Sequence, residues 1–161
     1  MEALDDTIKK VTLADGIERY FLDSEEKIIE FITKRYDENK EKPEPTIKID
    51  LSFCIINLDN GNEFFTPNIL CKALPEICSK DDRKFIINGS IKFDHSIIYS
   101  LWFNCCSFQD YVSFEGTKFY SVVNFNGSIF EEKVYFSQIS FYEKSKIVDY
   151  THSPLISGIS K

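Results

Sequence analysis

Phenylalanine recurs in the second half of the chain at intervals that alternate strictly between five and six residues. In VSFEGTKFYSVVNFNGSIFEEKVYFSQISF, residues 112 to 141, the rings stand at positions 114, 119, 125, 130, 136 and 141. An α-helix would scatter side chains at this spacing around its axis, because its period is about 3.6 residues. An ordinary meander also fails, since its strands usually run for about 5 to 6 residues and need separate turns. The spacing therefore predicts very short strands joined by corners.

Each phenylalanine closes a triplet, and ten consecutive triplets run from Ile91 to Phe141. The third residue is Phe in nine triplets and Ile98 in the other. The first residue alternates between a larger aliphatic and a usually smaller side chain, with Ile139 as the exception. Residues two apart in a strand share a face, so the first and third residues are predicted to point inward. The middle residues are expected to face water, among them Lys92, Trp102, Ser107, Lys118, Asn124 and Tyr135.

This pattern resembles the pentapeptide repeat proteins, whose unit carries a central Leu or Phe with a small or aliphatic residue two positions earlier. The resemblance covers about residues 85 to 147, and the extra residue in alternate units resembles the family's F-x-G-x-x-F variant. It implies a mainly β fold, a right-handed β-helix with about 22 residues per coil. Residues 22 apart would then stack, which predicts four ring pairs: Phe103 with Phe125, Phe114 with Phe136, Phe108 with Phe130 and Phe119 with Phe141.

The chain before the repeat predicts a helix and a linker. In LDSEEKIIEFITKRYDE, Asp23 is a candidate N-cap with Glu26 three residues later, and an apolar stripe follows that should end near Tyr36. The charged ENKEKPEPT then carries two prolines, which indicate a boundary. We expect an acidic helical segment and linker at 1–45, a β-helix at 46–150 and a tail at 151–161. The N-terminal helix is expected to cap one end of the β-helix.

Residues 46–58, TIKIDLSFCIINL, alternate apolar and polar side chains and predict one half-buried strand whose apolar face carries Ile47, Ile49, Leu51, Phe53 and Ile55. An Asn-Gly pair at 60 and 61 predicts a turn, and Thr66 before Pro67 predicts the start of a short helix. A helical or looped excursion is therefore expected at about residues 59–84. The β pattern resumes with FII at 85–87.

Charge and cysteine usage exclude several classes of function. The net charge is −7; residues 1–50 hold 14 acidic and 9 basic residues, whereas residues 91–161 hold 7 and 6. No basic patch is visible, so direct binding of nucleic acid is not expected. Five cysteines without regular spacing indicate free thiols, and with two histidines they do not form a metal motif. We expect no metal and no cofactor. The start of the chain lacks a signal peptide and no apolar run spans a membrane, which favours a cytoplasmic protein.

The sequence contains no catalytic motif, and Asp94 beside His95 is too little for acid/base chemistry. An enzyme is therefore not expected, and the notable side chains are expected to serve packing. The favoured function is a scaffold or binding module for an unknown protein partner, with Tyr99, Trp102 and Tyr135 as candidate contacts. Cys105 is a candidate oxidation site. The uncovered C-terminal end of a β-helix would also allow an end-to-end homodimer.

The family resemblance implies one alternative function, since some pentapeptide repeat proteins resemble B-form DNA and bind type II topoisomerases. Residues 91–147 would rise by about 12 Å at the spacing of β-strands. DNA of that length carries about seven negative charges, at one per ~1.7 Å. Because residues 91–161 hold 7 acidic and 6 basic residues, the charge disfavours this alternative.

Overall fold

The computed structural model describes residues 8–43, 47–58 and 64–141, together with the backbone of 146–149 and 156–157. It is mainly β, with short strands in parallel sheets and two α-helices. The helices are α1 (Glu25–Lys40) and α2 (Pro67–Ala73). The strands are β1 Lys10–Thr12, β2 Glu18–Leu22, β3 Ile49–Asp50, β4 Cys54–Ile56, β5 Cys78–Asp81, β6 Lys84–Ile87, β7 Ile91–Lys92, β8 Ile97–Ile98, β9 Leu101–Trp102, β10 Cys106–Phe108, β11 Val112–Ser113, β12 Lys118–Phe119, β13 Val122–Asn124, β14 Ile129–Phe130, β15 Val134–Tyr135, β16 Ser140–Phe141, β17 Lys146–Asp149 and β18 Ile156–Ser157.

The strands form four sheets that the chain visits in a fixed order. Sheet 1 contains β3, β7, β11, β15 and β18; sheet 2 contains β1, β2, β4, β8, β12 and β16; sheet 3 contains β9, β13 and β17; and sheet 4 contains β5, β6, β10 and β14. From β7 to β17 the chain passes from sheet 1 to sheet 4 and starts again, so successive passes lie on top of one another. This four-sided winding is compatible with a β-helix-like fold.

The strand register agrees with the spacing of the repeat. Val112 pairs with Val134 and Lys118 with Ser140, each 22 residues later. One pass earlier the offset is 21 residues, since Ile91 pairs with Val112. The first pass is longer, because α2 and the edge strand β5 precede β6, the strand of sheet 4 that pairs with β10 of the next pass. The short helix predicted after Thr66 is confirmed as α2, and the strand β5 also lies within the range predicted as a helical or looped excursion.

Stacked phenylalanine rings fill the interior. The Phe108–Phe130, Phe114–Phe136 and Phe119–Phe141 pairs are stacked with ring centroids 4.6, 5.2 and 5.4 Å apart, which confirms three of the four predicted pairs. The fourth predicted pair is Phe103 with Phe125. The preceding residues, Trp102 and Asn124, pair between neighbouring strands, so these two phenylalanines follow in register. Rings of adjacent columns also meet edge to face, as Phe125 and Phe130 do at 5.4 Å. The rings therefore form one continuous core.

The small inward residues connect one pass to the next by hydrogen bonds. Ser96 Oγ donates to Leu51 O at 2.6 Å, Thr117 Oγ1 to Phe93 O at 2.8 Å and Ser128 Oγ to Phe103 O at 2.5 Å. Each hydroxyl is buried and reaches a backbone carbonyl of the preceding pass. This position therefore favours Ser and Thr because a small hydroxyl both fits beside the rings and satisfies a buried acceptor.

The prediction that the middle residues face water is correct for Tyr135 and wrong for Ser107 and Asn124, which are buried. Ser107 pairs with Ile86 on one side and Ile129 on the other, and these larger neighbours cover it. A short side chain on the outer face of a stack loses contact with water whenever the strands above and below carry longer ones.

The single strand predicted at 46–58 is wrong, because a turn at Ser52 and Phe53 divides it into β3 and β4. Phe53 has a φ of 56° and its side chain points outward, with 44% of its surface exposed. Cys54 and Ile56 face the core instead. The turn shifts the alternation by one residue, so the inner face after it begins at Cys54.

Helix α1 forms where the sequence predicted a helix, but its ends differ. Its N-cap is Ser24 rather than Asp23, since Lys27 N donates to Ser24 Oγ at 3.2 Å, while Asp23 binds the Lys27 ammonium at 2.7 Å. The helix continues beyond Tyr36 to Lys40, whose ammonium lies 4.8 Å from the Tyr36 ring. The predicted apolar stripe is buried: Ile28, Phe31 and Ile32 belong to the same hydrophobic cluster as the phenylalanine core.

The prediction of a helical segment missed the strands before α1. Strands β1 and β2 form an antiparallel hairpin, and β2 then pairs in parallel with β4 through Tyr20 and Cys54. The predicted linker proline at 45, the Asn60-Gly61 turn, His152 and most of the C-terminal tail lie outside the described residues. The proposed domain boundaries stay a prediction.

Candidate functional site

The three aromatic residues predicted as contacts lie on different sides of the stack. Tyr99 follows β8 of sheet 2 and stacks on Tyr120 at 5.3 Å. Trp102 lies in sheet 3, with its ring 5.1 Å from Phe64. Tyr135 lies in sheet 1 and is 37% exposed. The structure does not bring these residues together, so they cannot form one contact surface.

A row of apolar side chains lies on the outer face of sheet 2. Phe21 of β2 pairs with Ile55 of β4, and Ile55 pairs with Ile97 of β8, so three adjacent strands carry apolar residues at the same outward register. Lys118 of β12 occupies the next position and ends the row. The core does not require apolar residues here, because the inward residues of these strands are their neighbours in sequence.

The β1–β2 hairpin lies beside this row and leaves an apolar groove with a volume of about 450 Å³. Ile55 and Ile97 are only 7% and 3% exposed although they point outward. The residues that line the groove are apolar or aromatic: Val11, Leu13, Phe21, Ile55, Ile97, Tyr99 and Tyr120. One predicted contact residue, Tyr99, therefore belongs to the groove.

The turn of the hairpin is attached to the stack by polar contacts. Arg19 is 1% exposed; its Nε donates to His95 O at 2.7 Å, and its Nη2 lies 2.9 Å from Asp15 Oδ2. Lys118 Nζ lies 3.3 Å from the same carboxylate oxygen. Hydrogen bonds from Arg19, and then from Ile17 N, hold the pKa of the Asp15 carboxyl well below its ordinary value. We call Asp15, Arg19 and Lys118 the ionic latch.

Asp94 and His95 hold a corner of the stack. Asp94 Oδ1 accepts hydrogen bonds from Ser113 Oγ at 2.5 Å and from Glu115 N at 3.1 Å. His95 has a φ of 58° and stacks on Phe53 at 5.1 Å between ring centroids. On its other side is Gly116, where an added Cβ would lie 2.5 Å from His95 Nδ1. Both side chains are thus engaged in packing and hydrogen bonding at the corner.

The five cysteines are free thiols and differ in accessibility. Cys54, Cys78 and Cys106 are buried, and burial raises the pKa of each thiol, to about 12 for Cys78. Cys105 is exposed and sits at a corner with a φ of 54°. Cys106 is the first residue of the triplet at 106–108, and its burial agrees with the inward position predicted for first residues. Oxidation of Cys105 stays a prediction.

Within the described ranges, no cluster of three or more His, Cys, Asp or Glu side chains is placed to hold a metal ion. Neither described helix has the length and apolar character that a membrane span requires.

The groove and the latch were missed by the sequence analysis, although one signal for them was present. Asp15-Gly16 stands between KVTL and IERYFL, and an Asp-Gly pair flanked by such segments is typical of a β-hairpin. Gly16 adopts a φ of 77° in the turn. Comparisons with family models, curated proteins and solved structures gave no match to this chain.

Proposed function

We propose that this chain is a cytoplasmic pentapeptide-repeat protein, a right-handed β-helix whose helix α1 caps one end, and that it acts as a non-enzymatic module that binds another protein. The observation that carries the proposal is the apolar groove on the outer face of sheet 2. Its lining is apolar and aromatic, and apolar grooves on a protein surface are typical of interaction sites. The other notable polar and thiol side chains have roles in packing, hydrogen bonding or corners, as described above.

The shape of the groove indicates the kind of partner segment. Three adjacent strands at a spacing of about 4.8 Å give a row of roughly 10 Å, which matches two or three consecutive contact side chains. A helix or strand that presents apolar residues on one face would place such side chains in the groove. The stacked rings of Tyr99 and Tyr120 provide an aromatic wall against which such a segment would pack.

The test is capture of a partner by the intact chain, identification of the captured protein, and titration of its purified form. Ile97→Lys places a charge in the groove, and Tyr99→Ala removes a ring from its wall without burying a charge. Ile129→Lys is the matched control, because Ile129 points outward from sheet 4 and is already exposed. Circular dichroism would check that each variant is folded.

We expect the identified partner to bind the wild type and the Ile129→Lys variant, and to bind both groove variants at least about tenfold more weakly, as for a contact near the centre of an interface. Equal binding to all four proteins would place recognition elsewhere and would refute the groove as the binding site. The absence of any partner that distinguishes the folded groove variants from the control would count against the proposed function.

A further inference from the structure

Strand β1 and the turn that joins it to β2 cover the outward residues Ile55 and Ile97 of sheet 2. Outward side chains on a β-sheet normally contact water, yet Ile55 and Ile97 are almost fully buried. Val11 and Leu13 line the groove opposite these two residues, so the hairpin is the element that covers them. The groove lined by these residues has a volume of about 450 Å³.

The two ends of the hairpin are attached differently. At the base, Tyr20 N donates to Phe53 O at 2.9 Å and β2 pairs with β4, which is continuous with sheet 2. In the part of the chain that the structure describes, β1 pairs with β2 alone and is the outermost strand of the sheet. The turn end has polar rather than packed attachments, since Leu13 is one of the exposed large apolar residues.

The ionic latch is the attachment of the turn end. Asp15 contacts Lys118, which lies 103 residues away in sequence and two strands beyond β4 in sheet 2. The same carboxylate neutralises the buried Arg19 guanidinium. Loss of the Asp15 carboxylate would leave the buried guanidinium with the His95 carbonyl but without an acidic partner. A buried charge without its partner is strongly unfavourable. Arg19 would therefore move toward water and take the turn with it.

From these contacts we propose that β1 and the turn that joins it to β2 form a strap, which closes over the apolar groove and opens to admit a partner while β2 stays paired with β4. The proposal rests on the proposed function for its purpose, but the opening itself is a property of the chain alone. The latch holds the strap closed, and release of the turn exposes Ile55 and Ile97 while the stacked core below stays intact. Segments with few packed contacts are the ones that open locally in native proteins.

The experiment measures hydrogen exchange of the hairpin amides and binding of the dye ANS in the purified protein without a partner. Asp15→Asn removes the carboxylate charge, and Lys118→Gln removes only the contact to sheet 2. Glu18→Gln is the matched control, because Glu18 forms an exposed pair with Lys10 at 3.6 Å inside the hairpin and does not contact the latch. All three substitutions remove one charge and preserve the approximate size of the side chain.

We expect hairpin exchange and ANS fluorescence to rise about fivefold or more in Asp15→Asn and less in Lys118→Gln, with Glu18→Gln like the wild type. Exchange of core amides such as Phe114 should stay unchanged. Unchanged hairpin exchange in both latch variants would refute the strap. A parallel rise in hairpin and core exchange would refute it as well, because the hairpin would then open only with the whole fold. Neither result depends on whether a partner is found.

Discussion

Truncation of one central ring tests whether the phenylalanine columns hold the fold together. Phe114 is 1% exposed and lies between Phe93, 4.9 Å away and parallel, and Phe136, 5.2 Å away. It also meets the rings of Phe119 and Phe125 at 5.6 and 5.8 Å. Phe114→Ala removes all four contacts and leaves a cavity that the winding on both sides prevents from closing.

The expected loss follows from these contacts. Phe→Ala at a buried site lowers the free energy of unfolding by about 3 to 5 kcal/mol. Each aromatic pair adds about 0.5 to 1.5 kcal/mol beyond buried area, and two stacked pairs at Phe114 place this site in the upper part of that range. A typical domain has a free energy of unfolding of about 5 to 15 kcal/mol, so the variant should melt far below the wild type. A similar loss is expected for Phe125→Ala.

Tyr135→Ala is the matched control, because it also deletes a ring and Tyr135 pairs with Ser113, the residue before Phe114. Its ring is on the outer face and 37% exposed, so its loss should change the free energy of unfolding by about 1 kcal/mol or less. Urea unfolding followed by circular dichroism gives both values by linear extrapolation. Equal losses in the two variants would show that the inward columns do not dominate stability and would refute the reasoning.

Three further predictions concern the corners, the thiols and the latch. Gly116→Ala should lower the free energy of unfolding by more than about 1 kcal/mol in a thermal melt, because its φ is positive and its Cβ would lie 2.5 Å from His95 Nδ1. Gly16→Ala, whose Cβ would have no atom within 4 Å, should cost less, and the reverse order would contradict this prediction. Cys105 should react first with Ellman's reagent, and Cys105→Ser should abolish that fast phase; a fast phase that persists would contradict the assignment. Because the pKa of Asp15 is lowered in the fold, its contribution to stability is present above the ordinary value of 3.8 and is lost as the pH falls below it. Wild type should therefore lose more stability than Asp15→Asn between about pH 5 and pH 2, and parallel curves would refute this.

The ring columns could be predicted from sequence because the spacing of the phenylalanines determines which residues pair between neighbouring strands. Each phenylalanine that closes a triplet has another phenylalanine one pass away along the chain. The period alone therefore places Phe108 opposite Phe130. The small inward residues were predicted in position, but their hydrogen bonds to carbonyls of the preceding pass were not. Those bonds depend on which carbonyl faces inward at each corner, and a period of residue types does not specify this.

The turn at Phe53 shows why the first pass was predicted less well. The equivalent corner positions on the next passes are His95, Gly116 and Gln138, and all of them have a positive φ. Glycine at such a position is a signal in the sequence, but a phenylalanine there is not, since a bulky residue rarely adopts this conformation. Phe53 is accommodated by stacking on His95, a contact between residues 42 positions apart. The alternation of apolar residues across the turn was therefore read as one strand.

The groove could not be predicted from sequence because it depends on outward residues of separate passes. The three residues of the row are not separated by a constant number of residues. Helix α1 and its flanking residues lie between Phe21 and Ile55, and the excursion lies between Ile55 and Ile97. They align only after the sheet register is fixed. Outward apolar residues in single short strands are common and carry no signal by themselves.

Lys118 links the length of the groove to its closure. It occupies the outward register that Ile55 and Ile97 occupy on the preceding strands, so its charge ends the apolar row, and its ammonium contacts Asp15 of the latch. An apolar residue at this position would extend the row by one strand and at the same time remove a contact that closes the strap. An apolar substitution at Lys118 would therefore change both properties at once, whereas Asp15→Asn and Lys118→Gln change closure and leave the row intact. This separation is why polar variants of the latch, rather than an apolar one at Lys118, decide between a movable strap and a fixed part of the sheet.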